Sequence, residues 1–67
     1  MKERLIDTLI YLVGNELNYE EEYNNCENKD YIEDLVNAKL WLMKEKKLPS
    51  IVVQSLYEED KKKYLDK

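Results

Sequence analysis

The chain has 67 residues, with one Gly, one Pro, one Cys, no His and no Phe, and fifteen acids against eleven bases give it a net charge of −4. A chain this short forms one domain, here residues 1–67, and buries only about 60% of the surface its unfolded form exposes, which leaves no room for a second domain and little for an enclosed catalytic pocket. Without imidazole, and with Cys26 as the lone thiol, the usual zinc, haem and nucleophile–base combinations are missing, and no intramolecular disulfide can close.

With so little Gly and Pro, regular structure must run nearly uninterrupted, and the composition reads helical. The apolar stock is ten Leu, four Ile, four Val, two Met and one Trp, with six Tyr supplying most of the aromatic area. The opening "MKERLIDTLIYLVG" lacks the make-up of a signal peptide, because Glu3, Arg4 and Asp7 sit among its apolar residues. Its apolar run also falls well short of the roughly 20 residues that span a bilayer. The expected setting is the reducing cytoplasm of a bacterial cell. Heavy use of Lys, Asn, Ile, Tyr and Glu suits an AT-rich coding sequence, such as that of a low-GC bacterium or one of its phages.

Taken in chain order, Leu5, Ile6, Leu9, Ile10, Leu12 and Val13 recur at amphipathic spacing and predict a helix over 3–13, with Gly14 as its left-handed C-terminal cap. The competing reading is a hairpin with a Gly14-Asn15 turn, disfavoured because the helical period begins back at Leu5 and because a lone hairpin has no sheet to join. Asn18 followed by Glu21 predicts an N-cap and a second helix over 18–26, with Tyr19, Tyr23 and a partly buried Cys26 along one face. The third helix, 31–47, begins at a capping box of Asp30 and Glu33. Its stripe is Tyr31, Ile32, Leu35, Val36, Ala38, Leu42 and Met43, with Leu40 and Trp41 outside it. Pro49 ends it, and Ser50 caps a last helix over 51–65 with Val52, Val53, Leu56, Tyr57 and Tyr64 on one face. The β-branched run Ile51, Val52, Val53 leaves a short strand as its rival. The fold class is all-α, a small bundle of three to four short helices, dimeric or partner-bound because its core is lean.

Charge is unevenly spread. Glu16 to Asp34 holds eight acids and one lysine, while the remaining positions hold seven acids and ten bases. The acidic stretch does not fit a calcium loop: counted from Asn24, Cys26 stands at position three, Lys29 at six and Leu35 at twelve, where oxygen ligands, glycine and glutamate are needed. Cys26 has no histidine to activate it, and Glu27 beside it works against a thiolate. The lysines of "KEKK" and "DKKKYLDK" fall at predicted helix C-termini, where they suit the helix dipole better than they argue for direct nucleic-acid binding. No metal, no cofactor and no catalytic residue is therefore expected.

Two features invite a partner. Trp41 is read first as a core residue closing the bundle and second as an interface anchor, a reading that Leu40 beside it, also off the main stripe, keeps open. The acids either solvate a surface or form one shaped to occupy a basic groove. The expectation is a non-enzymatic protein-binding module, a phage or mobile-element inhibitor that mimics nucleic acid. Its contact residues are Glu16, Tyr19, Glu20, Glu21, Glu22, Tyr23, Glu27, Asp30 and Trp41, and its partner is a larger bacterial protein with a basic groove. The alternative is a self-associating helical bundle, a homodimer, whose acids only solvate it.

Overall fold

A computed structural model describes residues 2–66 as three helices: α1 (Glu3–Asn24), α2 (Lys29–Glu45) and α3 (Ser50–Asp60), the last continuing into a π-helical segment (Lys61–Leu65). This is the small all-α bundle that the composition implies, with no strand among the described residues. Neither the hairpin at Gly14 nor the strand at Ile51 forms. None of the described helices is long and apolar enough to cross a membrane.

The two helices expected over 3–13 and 18–26 are one. Gly14 keeps right-handed helical dihedrals and caps nothing, and Asn18 is not an N-cap but accepts the Tyr64 hydroxyl proton at 3.0 Å. Interior glycine costs a helix about 1 kcal/mol, and the row Ile6, Ile10, Val13 and Leu17 continues past it against the bundle. Burying that row outweighs the local penalty.

Helix α1 ends in a turn of two successive left-handed residues, Asn25 (φ 52°) and Cys26 (φ 55°). Their amides close on the carbonyl of Glu20, at 3.0 Å from Cys26. Cys26 thus lies in the turn, not on a helix, and its side chain is fully buried. The N-cap of α2 is Asn28, whose side chain accepts from the Tyr31 amide at 3.4 Å. Asp30 stands inside the first turn instead, where its charge suits the helix dipole. Helix α2 stops at Glu45, with Lys47 left-handed (φ 63°) just beyond, and Pro49 rather than Ser50 precedes α3 as its N-cap.

Antiparallel contacts order the bundle. The Tyr31 hydroxyl donates to Glu16 at 3.0 Å near the turn, and Lys46 pairs with Asp7 at 2.6 Å at the open end of the α1–α2 hairpin. Helix α3 returns along α2: Lys39 faces Asp60 at 3.0 Å, held by charge rather than by an aligned hydrogen bond, and the Lys29 ammonium donates to the Tyr64 carbonyl at 3.3 Å. The core is Leu17, Cys26, Ile32, Val36 and Tyr64, flanked by Val13, Leu35, Tyr57 and Leu65. Of the stripe expected on α2, Ile32, Val36, Leu42 and Met43 are buried, whereas Tyr31 and Ala38 face outward. On α3 only Val53 is buried; Val52 and Leu56 stay exposed, and Ile51 is 79% exposed.

Candidate functional site

The acids collect at the closed end of the α1–α2 hairpin, and consecutive positions on a helix cannot share a face because each residue advances about 100°. Glu20, Glu21 and Glu22 fan out accordingly. Glu20 is 5% exposed and accepts from the Asn24 amide at 2.7 Å, so it is no surface contact, contrary to the sequence expectation. Glu21 is half-buried toward the C-terminal segment, where it helps to hold the Lys63 ammonium above its ordinary pKa, behind the larger effect of a hydrogen bond with Tyr64. Glu22 points into solvent.

Glu16 is half-buried and engaged by Tyr31. That hydrogen bond raises the Tyr31 pKa, with burial and the charges of Glu16 and Glu20 adding to it. Tyr19 and Tyr23, one turn apart and both exposed, tilt against each other with ring centroids 4.9 Å apart. Glu27, Asp30, Glu33 and Asp34 are all exposed across the turn and the first two turns of α2. The expected contact residues therefore meet as an acidic end with a tyrosine pair, not as one flat acidic face.

Trp41 is 54% exposed and does not close the core. It lies about 16 Å along α2 from Asp30 at the ordinary helical rise, so the structure does not bring it into the acidic cluster. It belongs to the outer side of the hairpin, at helical spacing from Tyr31, Asp34 and Ala38. Two contacts escaped the sequence: the Asp7–Lys46 clip and the Tyr64–Asn18 bond. Sequence separations of 39 and 46 leave no local signal for either.

For chemistry the inventory is thin. Among the described residues no group of three or more acidic or cysteine side chains is gathered as a metal site. Cys26 is buried among apolar neighbours. A cleft of 290 Å³ between α2 and α3 is lined by Lys44, Leu48, Ser50, Val53 and Gln54, and Lys44 is the sole titratable group on its wall. General acid–base work would need a second such group beside it. No protein-family model, curated protein or solved structure matches the chain.

Proposed function

We propose that the chain is a non-catalytic protein-binding module that modulates a larger bacterial protein by setting its acidic end into a basic, nucleic-acid-binding groove. The observation that supports this is the set of exposed acids Glu22, Glu27, Asp30 and Glu33 flanking the α1–α2 turn, at the same end of the hairpin as the tilted pair Tyr19 and Tyr23. Exposed carboxylates lose little hydration until they meet a guanidinium or ammonium, and the charge-assisted hydrogen bonds then formed are among the strongest available to a surface. A concentrated negative field also speeds encounter with a positive groove. Tyrosine faces accept arginine side chains by cation–π contact. A phage or mobile-element origin, suggested by the AT-rich character of the residue usage, suits such a small modulator.

The test compares wild type with a Glu22→Gln, Glu27→Gln, Asp30→Asn variant in capture from a low-GC bacterial lysate, with elution by duplex DNA and by salt well above the physiological range of about 0.15 M. The expected result is a protein held by wild type alone and released by both eluants. Capture of nothing, or of a protein held equally by both forms or resistant to DNA, overturns the reading.

A further inference from the structure

Helix α1 is apolar in pairs: Leu5-Ile6, Leu9-Ile10 and Leu12-Val13, continued by Glu16-Leu17 and Tyr19-Glu20. The second members make the inner row that enters the bundle, with Ile6, Leu17 and Glu20 buried and Ile10 and Val13 half-buried. The first members, with Tyr23, repeat at alternating spacings of four and three and form a second row about 100° round the helix. Most of this outer row lies open in the protomer: Leu5 is 50% exposed, Leu12 54%, and Tyr19 and Tyr23 more than half, while Leu9 is half-buried and Glu16 is engaged by Tyr31. Alternation of four and three is the spacing that packs one helix against another.

A matching row lies on α2: Tyr31, Asp34, Ala38, Trp41 and Glu45, all exposed and spaced three, four, three, four. The Tyr31–Glu16 hydrogen bond joins the two rows edge to edge, while the Tyr64–Asn18 and Lys29–Tyr64 contacts put the C-terminal segment on the other side of the hairpin. The two rows thus form one outward face, about 27 Å long on α1 and about 21 Å on α2 at the ordinary helical rise, and two helices, about 20 Å, across. That is on the order of 500 Å² per protomer, so a pair buries about 1,000 Å², the size of a weak, transient interface.

We infer that this face is covered by a second copy of the chain, packed antiparallel, so that two α1–α2 hairpins make a four-helix bundle about a two-fold axis. Orientation follows from charge. Glu16 to Asp34, at the closed end, carries eight acids and one lysine, whereas Lys2–Arg4 and Lys44–Lys47, at the open end, carry five bases and two acids. A parallel pair stacks acid on acid; the antiparallel pair sets each closed end over an open one. The leucines of one protomer then meet the tyrosines of the other. Glu16, past the middle of the α1 row, and Asp34, one turn into the α2 row, interrupt the apolar surface and hold the association weak and reversible.

The dimer does not rest on the acidic-groove reading, and its test needs no lysate. Sedimentation equilibrium between about 1 µM and 1 mM brackets the affinity range of such a small interface, and the emission of Trp41, the sole tryptophan, is followed over the same range. Wild type is expected to dimerise, with Trp41 emission shifting to the blue as its exposed ring is covered. Leu12→Glu is expected to weaken the dimer by at least about tenfold at unchanged helicity, because it buries an unpaired carboxylate. Asp34→Ala is expected to tighten it. Tyr11→Glu, at an exposed position about 100° round the helix from Leu12, serves as control and is expected to leave it unchanged. Spin labels on Glu27→Cys are expected about a molecular length apart in the dimer. A monomer at every concentration, or a dimer indifferent to Leu12→Glu, overturns the proposal; labels closer than about half the 32 Å length overturn the antiparallel packing.

Discussion

The chain's one glycine lies in the middle of α1 with right-handed dihedrals, while the three left-handed positions among the described residues are filled by Asn25, Cys26 and Lys47. A Cβ at Gly14 would meet no atom within 4 Å. Gly14→Ala is therefore expected to stabilise the fold by about 0.5–1 kcal/mol through helix propensity and a less disordered unfolded state. Lys47→Gly is expected to gain a similar amount by relieving the left-handed strain, and each gain corresponds to roughly 2–8 °C in Tm. Thermal melts followed by circular dichroism check both. Proton linkage also acts at this scale. The Tyr31 phenol, bonded to Glu16, and the Lys46 ammonium, bonded to Asp7, both hold their protons more tightly folded than unfolded. Stability from these pairs is full below about pH 10 and is lost as pH rises through the raised values. Denaturant titrations from pH 9 to about 11.5 should show wild type weakening, and a Tyr31→Phe, Asp7→Asn double variant should weaken less over that window.

At the scale of elements, α2 was legible almost throughout and α1 was cut in two. Ile32, Leu35, Val36, Leu42 and Met43 keep one period from end to end, so that helix declared itself. In α1 the signal of Gly14 is local, whereas the reason to continue is a row of side chains meeting α2, which only the tertiary arrangement supplies. The outer row of α1 was merged with the inner one because six apolar residues in nine positions satisfy one broad stripe as well as two narrow ones. Of the contact residues, the tyrosine pair and Glu22, Glu27 and Asp30 could be read as surface. Burial of Glu20 could not, since its identity as an acid argues the other way and its neighbours in space are unknown to the sequence. The C-terminal π-helical segment is tied in by Tyr64, which is 5% exposed and bonds Asn18 through its hydroxyl. Tyr64→Phe is expected to cost about 1 kcal/mol, the net worth of one hydrogen bond, and Tyr64→Ala about 3–5 kcal/mol. Urea unfolding separates the two, and the larger loss is expected to leave most of the chain unfolded at 25 °C, since a domain this small has a margin of only about 3–5 kcal/mol.

Across the whole molecule the design is a thin core with two unlike ends and an apolar flank. Five buried side chains draw α1, the turn, α2 and the C-terminal segment together, with Tyr57 of α3 packed against them, and more large apolar residues lie outside than within. The acidic closed end and the outer face of the hairpin overlap at Tyr19 and Tyr23. Cys26 sits at the centre of this arrangement, wedged in the turn between α1 and α2 with no solvent contact. As the sole thiol, it gives the molecule an intrinsic stopwatch. A disulfide reagent can reach the sulfur only when the turn parts from the helices, so with reclosing faster than labelling the rate reports the population of the open form. If the hairpin opens only with the whole fold, labelling in native buffer should slow by the same factor by which Gly14→Ala lowers the unfolded population. A thiol that reacts at an unchanged rate would instead mark the turn as a hinge that breathes alone.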